Sequence, residues 1–431
     1  MILRLSSPAA PGLLALIALA FAVGLSYFSI RAARAAYFAG RNTREGFARA
    51  AQLEPSNARY WSLLGRYWQY NLADPDPRRA IQAYRYAVSL DPRSAAAWLD
   101  LGTAFESEGD LASARDAFLQ AQRAYPLSAE VSWRYGNFLL RRGELDPAFA
   151  QIRHAVEIDP KHAAEAFSRC VRVVPDIDAI LNRVLPPSRD VYLGVVQALT
   201  EEGQTEPALT VWSRLAALHP HLPLSNAFGL VNALIEKKRM AEARHVWDQA
   251  VAFAGISPPP DPPGSLVWDG GFESGIVGGG FAWRYPQTSE GVQIGLDSQE
   301  KHAGNHSLRL TFDGKHNVNF TDVCEYLAVQ PSVAYRFSAW VHTRELSTDQ
   351  GLRFLLQPIA ESETPSFWTP DVRGSEPWTR IEIPWTSGKD VRGLRICVGR
   401  SPSRKLDSQI QGLAWVDDIA LLPGSAERAR P

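Results

Sequence analysis

The spacing of apolar residues divides the chain into three stretches. From Leu5 to Ile30 there is no charged residue, and about 20 apolar residues are enough for a helix to cross the hydrocarbon core of a membrane. Apolar and small residues then recur at helical spacing as far as residue 254. Beyond residue 264 they alternate with polar residues, which is the period of β-strands. The pattern predicts a membrane helix, a helical region and an all-β module, in that order.

The first stretch, residues 1–35, is predicted to be a short tail followed by a membrane anchor at about residues 11–30. A cleaved signal peptide is the alternative, but the apolar run exceeds the roughly 7–15 residues usual for a signal peptide. Orientation stays open. The arginines that come after the span favour a cytoplasmic C-terminal part, whereas a short tail before a single span is typical of an anchor that exports the rest of its chain. We expect a single-pass protein of a bacterial inner membrane with its large C-terminal part in the periplasm. The arginines are Arg31, Arg34, Arg41 and Arg44.

The second stretch, residues 36–254, carries an internal repeat. Prolines recur with gaps of 37, 34, 34 and 60 residues, and small and large apolar residues keep fixed offsets between them. A period of 34 with these offsets resembles the tetratricopeptide repeat (TPR), in which helical hairpins stack into a solenoid. Residues 163–188 depart from the pattern and are predicted to form a degenerate repeat or a bend. The prolines are Pro55, Pro92, Pro126, Pro160 and Pro220, and the offsets are clearest at Trp98, Leu101, Gly102, Phe105, Ala114, Phe118 and Ala121.

The TPR resemblance implies a protein partner bound in a groove lined by the first helix of each pair. Asn137 falls where members that bind chaperone tails carry a carboxylate-clamp asparagine. Trp133 and Leu99, however, stand where that clamp needs lysine or arginine, so we expect a partner bound without it. The sequence leaves open whether Trp133 is a core or a groove residue. Four other tryptophans are expected in the core, namely Trp61, Trp98, Trp212 and Trp247. The groove positions transferred by offset are Arg59, Arg66, Gln69, Trp133, Asn137 and Gln197.

The third stretch begins after residues 255–264, whose five prolines and two glycines predict a stiff linker. Residues 265–423 then show several segments of period-two alternation separated by turn residues, as at 307–312, 335–342 and 394–399. Such short strands predict an antiparallel β-sandwich or jelly roll. Residues 424–431 are predicted to be a tail.

Short motifs within the third stretch occur in the order seen in galactose-binding-like jelly rolls. The module therefore resembles the carbohydrate-binding modules of bacterial glycoside hydrolases. That resemblance implies a structural calcium ion, held by Glu273 and by Asp417 or Asp418, because calcium prefers carboxylate oxygens. The same aspartates could simply end a strand, so the ion stays a hypothesis, and we expect no other cofactor. The motifs lie at residues 269–273, 283, 302–308, 335–341 and 416–419.

Six aromatic or hydrogen-bonding residues have the parity opposite to the apolar positions of the predicted strands. Sugar rings stack on aromatic faces while their hydroxyl groups need polar partners, so this set predicts a cleft for a glycan or a protein. The alternative is a solvated outer face, with the set divided between two sheets. Cys324 and Cys397 share this parity, which permits a disulfide bond without implying one. The six residues are Tyr326, Trp340, His342, Arg353, Gln357 and Arg395.

Composition narrows the function. The chain has 45 basic and 46 acidic residues, a net charge of −1, which disfavours a nucleic-acid-binding protein. The sequence has no nucleophile elbow, phosphate-binding loop or zinc-protease motif. We predict a non-enzymatic membrane scaffold that docks a protein partner and contacts a glycan or protein, in the assembly or export of surface polysaccharide. A glycan-processing enzyme with an unrecognised site in the jelly roll and a cytoplasmic adaptor that binds only protein are the alternatives.

Overall fold

The computed structural model describes residues 10–72, 75–257, 262–275 and 278–424. The predicted N-terminal tail, the centre of the predicted linker and nearly all of the C-terminal tail lie outside these residues. The described chain consists of helices followed by antiparallel strands. The helices are α1 (Ala10–Gly40), α2 (Arg44–Leu53), α3 (Ala58–Tyr70), α4 (Pro77–Leu90), α5 (Ala95–Ser107), α6 (Leu111–Ala124), α7 (Ala129–Arg141), α8 (Leu145–Ile158), α9 (Ala163–Val173), α10 (Ile177–Arg183), α11 (Arg189–Glu201), α12 (Thr205–Ala216), α13 (Phe228–Glu236) and α14 (Met240–Ala254).

The chain forms two compact units that meet in sequence at Pro186 and Pro187. The first unit contains α1–α10, and the second contains α11–α14 together with all the strands. The division between units therefore lies inside the helical array and not at the proline-rich segment of residues 255–264. The last helices and the sheets belong to the same compact unit.

Helix α1 continues without interruption from the apolar stretch into the helical array. It is long and apolar enough to cross a membrane, and its apolar part is not buried in the protein. Its last turns pack on the first repeat, where Ala35 is fully buried beside Ala50 and Tyr60. The boundary predicted at residue 35 thus falls inside one continuous helix, and the first repeat is built directly on the apolar helix.

The helices of the first unit after α2 pack as consecutive hairpins, α3 with α4, α5 with α6 and α7 with α8. A side chain caps most of their N termini, as at Ser94, whose Oγ accepts the N–H of Ala97. Within one hairpin, a Cβ atom on Gly102 would lie 3.2 Å from the Phe118 ring, so the small residue permits the close helix contact expected from the repeat. The predicted irregular stretch contains the shorter helices α9 and α10.

The four tryptophans expected in the core of the array fall into two groups. Trp212 and Trp247 are buried, as predicted. Trp61 and Trp98 are only half-buried, and each indole N–H donates to the carbonyl oxygen of a proline six residues earlier, at 2.9 Å. The amphipathic indole fits this edge position because its ring packs while its N–H finds a polar partner.

The strands form two antiparallel sheets that enclose one core. The six-stranded sheet has the order β1-β2-β3-β10-β5-β8, and the four-stranded sheet has the order β4-β9-β6-β7. Alternate residues such as Leu308, Phe337, Phe354 and Ile396 are fully buried between them, so the predicted sandwich is confirmed. The strands are β1 (Thr288–Ser289), β2 (Val292–Asp297), β3 (Ser307–Asp313), β4 (Phe320–Ala328), β5 (Ala334–Leu346), β6 (Arg353–Ala360), β7 (Phe367–Trp368), β8 (Gly374–Thr386), β9 (Val391–Arg400) and β10 (Gln411–Pro423).

In the second unit, α13 and α14 pack against the sandwich through an aromatic cluster. The Trp247 ring stacks on Phe228 at 6.0 Å and meets Trp268 edge-on at 5.3 Å. Gly280 has a φ of 59°, and a Cβ atom there would lie 2.2 Å from the Trp247 ring, so glycine is required both by the backbone and by the contact. The Asn232 side chain accepts the N–H of Gly280 at 2.9 Å. Helices and sheets therefore share a buried, specific contact.

Candidate binding sites

A ladder of three charged residues crosses successive hairpins of the first unit. Arg66 Nε lies 2.7 Å from one oxygen of the Asp100 carboxylate, and Arg134 Nη1 lies 3.3 Å from the other. The Asp100 side chain is only 5% exposed, so these cations stabilise a nearly buried charge. Burial would lower the pKa of Arg66, but its hydrogen bond and ion pair with Asp100 outweigh this and raise it. Each neighbouring pair is 34 residues apart in sequence. Asp100 and Arg134 occupy the same position of successive repeats, whereas Arg66 belongs to the longer first repeat and aligns with Thr103.

Beside this ladder the helices enclose an open cavity of about 370 Å³. Trp133 forms part of its wall, with its ring stacked on His162 at 4.8 Å and the Arg169 guanidinium 5.3 Å from its centre. Arg169 also donates to the Asn137 side-chain oxygen at 2.9 Å. Arg134 and Arg141 line the same cavity. The cavity is therefore bordered by guanidinium groups and by aromatic side chains, with Tyr70 and Phe118 in addition to Trp133.

The predicted groove residues do not all reach this cavity. Trp133 and Asn137 line it, and Arg66 adjoins it through Asp100. Gln69 instead accepts a hydrogen bond from the buried Tyr84 hydroxyl of its own hairpin, at 2.8 Å, because its side chain points between α3 and α4. Arg59 lies by a different cavity, at the end of the apolar helix, and Gln197 is an exposed residue of α11 in the second unit.

Sequence reasoning missed Asp100, Arg134 and Arg169 in this region. A signal for part of the ladder was available, because Asp100 and Arg134 are equivalent residues of neighbouring repeats, and equivalent positions stack on one another. Arg66 carries no such signal, since Asp100 is equivalent to Leu63 in the longer first repeat. No comparable periodic signal marks Arg169, since the third repeat ends in the irregular stretch.

The six residues of the predicted glycan or protein cleft lie on two different sheets, so the prediction of a single cleft is wrong. Trp340 and His342 lie on β5 of the six-stranded sheet. The other four lie on the four-stranded sheet, because alternation reports which side of a strand a residue occupies and not which sheet the strand joins. These four are Tyr326 on β4, Arg353 and Gln357 on β6, and Arg395 on β9.

The first surface is the outward side of the four-stranded sheet, here named the four-stranded face. Strand register places Tyr326, Arg395 and Gln357 side by side on adjacent strands. Arg395 donates to the Gln357 side-chain oxygen at 3.1 Å, and its guanidinium lies 5.9 Å from the centre of the Tyr326 ring. Arg284, whose backbone bridges to Cys324, lies 4.7 Å from the same ring. One tyrosine ring thus contacts two cations.

The neighbouring row of the four-stranded face contains a disulfide bond between Cys324 and Cys397. The two residues are directly opposed on β4 and β9, with Cα atoms 4.1 Å apart. Beyond it, the Trp368 indole lies over Gly399, where a Cβ atom would be 2.8 Å from the ring. The Arg353 guanidinium lies 4.7 Å from the centre of that indole. The face therefore carries two aromatic rings, each paired with arginine, on a covalently bridged floor.

The helical array closes one end of the four-stranded face. A Cβ atom on Gly393 would lie 2.8 Å from the Met240 side chain of α14. The Lys238 ammonium group donates to the carbonyl oxygen of Ala360 at 2.8 Å. The remaining length of the face, from Tyr326 to Trp368, has half-buried aromatic and arginine side chains.

The second surface is the outward side of the six-stranded sheet, here named the six-stranded face. Trp340 stacks on His302 at 3.9 Å and His342 stacks on Trp415 at 4.9 Å, while Trp378 lies 5.7 Å from each histidine ring. Several of its charged side chains have a polar or ionic partner. Asp418 contacts His302 at 2.6 Å, Asp297 pairs with Arg309 at 3.3 Å and Glu300 pairs with Arg344 at 3.4 Å.

The residues proposed as calcium ligands lie together, but their oxygens face hydrogen-bond donors. Glu273 accepts the backbone N–H groups of Asn305 and His306, and Asp417 accepts those of His302 and Ala303. Asp418 contacts the His302 ring. Among the described residues, no group of three or more acidic, histidine or cysteine side chains is arranged to hold a metal ion. The carboxylates do not fit a calcium site, because backbone N–H groups of one loop already donate to the oxygens that would bind the ion.

Burial and the neighbouring Asp418 raise the pKa of Asp417 to about 6, against the opposing effect of its backbone hydrogen bonds. The third cysteine, Cys170, is buried in α9, and burial raises the pKa of its thiol to about 12. A thiol protonated at neutral pH is a poor nucleophile. Cys170 therefore has the character of a packing residue.

Comparison with known proteins supports the repeat. Residues 72–129 and 108–163 match a tetratricopeptide repeat family model. Similar solved structures include YrrB, described as a TPR protein with an unusual peptide-binding site, at 16% identity over 49% of this chain and 94% of that one, with a TM-score of 0.26. They also include pilF of Pseudomonas aeruginosa, at 16% identity over 53% and 93%, with a TM-score of 0.29.

For the β part, the similar structures include a family 16 carbohydrate-binding module. It is 14% identical, over 36% of this chain and 99% of that one, with a TM-score of 0.27. No curated protein matches the sequence. The predicted order of TPR hairpins followed by an antiparallel sandwich, after an apolar N-terminal helix, is confirmed.

Proposed function

We propose that this protein is a non-enzymatic, membrane-anchored scaffold whose helical array docks a protein partner and whose sandwich contacts a glycan. The observation that carries the proposal is the four-stranded face, where the half-buried rings of Tyr326 and Trp368 lie beside arginine and glutamine side chains. Flat rings flanked by hydrogen-bonding groups suit sugars, which present C–H faces and hydroxyl groups together. Assembly or export of bacterial surface polysaccharide is the setting that requires both kinds of contact.

The Cys324–Cys397 disulfide supports an extracytoplasmic location for the sandwich. Disulfide bonds persist in oxidising compartments such as the bacterial periplasm and are rare in the cytoplasm. We therefore favour export of the C-terminal part across the inner membrane over the orientation suggested by the arginines after the span. Continuity of α1 into the first repeat supports a retained anchor, because removing it would uncover the contact of Ala35 with Ala50.

For the protein partner, the cavity beside Trp133 is the preferred docking site. Arg134, Arg141 and Arg169 border it beside the Trp133 ring, which is 8% exposed. A TPR array binds extended or helical segments through such surfaces without performing chemistry on them. We expect the partner to place an acidic or amide side chain near these arginines, in competition with their present partners Asp100, Glu106 and Glu165.

Orientation is tested with two reporters fused after Pro431, alkaline phosphatase, which is active only outside the cytoplasm, and a fluorescent protein that matures only in the cytoplasm. We expect phosphatase activity and no fluorescence. The opposite pattern would contradict the proposal and support the adaptor that binds only protein.

Glycan contact is tested with the full-length protein in detergent on an array of bacterial polysaccharides. We expect Tyr326→Ala to lose about tenfold in affinity, because a stacked ring contributes about 1.5 kcal/mol. Trp340→Ala on the six-stranded face is the matched control and should bind normally. Equal losses in the two variants would contradict the assignment of the site, and release of soluble sugar from any chain would contradict a non-enzymatic role.

A further inference from the structure

The arginines of the four-stranded face differ from several other arginines of the sandwich, which are ion-paired. Arg336 and Arg380 both pair with Glu382, and Arg373 pairs with Asp371. Within the described residues, no carboxylate lies within ion-pair distance of Arg284, Arg353 or Arg395, which contact amide, carbonyl or sulfur atoms instead.

These cations are also poorly solvated. All three side chains are half-buried, and the Nε atom of each is buried without a hydrogen-bond partner. Burial lowers the pKa of Arg284 and the positive charge of Arg395 lowers it further, against the opposing effects of Tyr326 and of the Glu236 carboxylate, which is not within ion-pair distance. A half-buried guanidinium group without a counterion is costly, since both desolvation and like-charge repulsion oppose it. Stacking on Tyr326 and Trp368 offsets part of that cost.

The unpaired charges are spread along the face. Arg395 lies beside Gln357 of β6, and Arg353 precedes Gln357 by four residues on β6. Four residues of a strand span about 13 Å at 3.3 Å per residue. Between these rows lie the Cys324–Cys397 disulfide and Trp368. A single sugar cannot reach both cations, whereas an extended chain can. The Tyr326 and Trp368 rings would contact sugar faces while the arginines contact substituents.

We propose that the four-stranded face binds an anionic polysaccharide, with Arg353 and Arg395 each recognising an acidic group along the chain. This inference rests on the proposed glycan contact and adds the class of the glycan. Arg284 contributes a third positive charge at the end of the face closed by the helices, where Asn232 holds its guanidinium at 2.7 Å. A bound anion would supply an ion-pair partner at contact distance, which none of the described carboxylates provides.

The test uses full-length protein in detergent and measures dissociation constants for three probes. They are polygalacturonate oligosaccharides, the same oligosaccharides with each carboxyl group reduced to an alcohol, and dextran sulfate. We expect the acidic oligosaccharides to bind at least tenfold more tightly than the reduced ones. The double variant Arg353→Gln with Arg395→Gln should lose roughly 10- to 100-fold for the acidic probe, the range for a charge-assisted hydrogen bond.

Two further variants separate charge from structure. Arg353→Lys with Arg395→Lys keeps the charge and should retain part of the affinity. Arg336→Gln with Arg380→Gln removes two paired arginines of the other sheet and should bind normally. Thermal unfolding of each variant, with the disulfide intact, shows whether the sandwich is folded. A loss of binding in this control as large as in the test variant would overturn the inference.

The outcomes also distinguish this inference from the proposed function. If reduced and acidic oligosaccharides bind equally and the glutamine variant binds both normally, glycan contact stands and the anionic class is wrong. If no probe binds, glycan contact and the inference both fail. Binding of dextran sulfate that depends on the same arginines supports the inference and shows that sulfate serves as well as carboxylate.

Discussion

The two outward surfaces of the sandwich have aromatic rings and arginines in common, but they balance charge differently. On the six-stranded face, Asp297 is bonded to Arg309 and to the Trp415 indole, and Glu300 pairs with Arg344. On the four-stranded face, Arg353 and Arg395 meet rings and amides without a carboxylate. Internally satisfied groups stabilise a fold, whereas unsatisfied groups leave interaction energy available to a ligand. Composition alone would treat these two surfaces as equivalent.

The largest expected effect concerns the floor of the four-stranded face. Cys324→Ser with Cys397→Ser should lower the free energy of unfolding by roughly 4 kcal/mol, because the bridge closes a long loop in the unfolded chain. The two cysteines are 73 residues apart. Denaturant unfolding followed by tryptophan fluorescence measures the difference.

A thiol reductant provides the control for the disulfide. It should destabilise the unaltered protein by a similar amount and leave the double serine variant unchanged. Identical midpoints with and without reductant in the unaltered protein would show that the bridge does not stabilise the face.

A smaller effect should separate the tryptophans of the two surfaces. Trp415 is 3% exposed and donates its indole N–H to Asp297 at 3.0 Å, so Trp415→Leu should cost about 2 kcal/mol in stability. Trp368 is half-buried on the other surface, and Trp368→Leu should cost less than about 1 kcal/mol while weakening polysaccharide binding. The reverse order of stability losses would contradict the contrast between the surfaces.

The smallest effect is the contribution of one carboxylate of the six-stranded face to the pH dependence of stability. Burial alone would raise the pKa of Asp297, but hydrogen bonds from Trp415 and the backbone, with the charge of Arg309, lower it overall. Its contribution to stability is therefore present above the unfolded pKa of about 3.9 and is lost as pH falls through the lower folded value. Asp297→Asn should cost about 1 kcal/mol at pH 7 and reduce the loss of stability below pH 4.

The matched control for the pH experiment is Asp407→Asn, which alters an exposed carboxylate in the loop before β10. Stability measured by denaturant unfolding from pH 7 to pH 2.5 should follow the same curve in this variant as in the unaltered protein. If the curve for Asp297→Asn also coincides with that of the unaltered protein, the ion pair and hydrogen bonds of Asp297 do not contribute to the free energy of unfolding.

Helical hairpins could be predicted from the sequence because their packing is local and recurs. The contact of a glycine with a large side chain, as between Gly102 and Phe118, recurs about every 34 residues. Each repeat therefore supports the interpretation of the next. The Asp100–Arg134 pair of the charged ladder follows the same rule, because these two residues are equivalent in neighbouring repeats. Arg66 does not, because the first repeat is three residues longer than the second, and its contact with Asp100 is visible only in the structure.

Strand pairing could not be predicted in the same way. Alternation correctly placed Tyr326 and Trp340 off the apolar core, yet their strands, β4 and β5, are consecutive in sequence and join different sheets. Sheet membership depends on pairing between distant strands, such as β4 with β9, which no local pattern encodes. The same long-range register places Cys324 opposite Cys397. The alternation along each strand permitted their bond, but only the pairing of β4 with β9 brings the two residues together.

The contact of Trp247 with Gly280 limits how this chain can be divided. The proline-rich segment looks like a natural site for cutting or exchanging modules, and the sequence pattern changes there. A fragment ending at residue 254 would carry the Phe228 and Trp247 rings without the glycine loop and Trp268 that cover them. A sandwich produced alone would lose the support of Asn232 for Arg284. Truncations and domain exchanges of this protein should therefore keep residues 187–424 together.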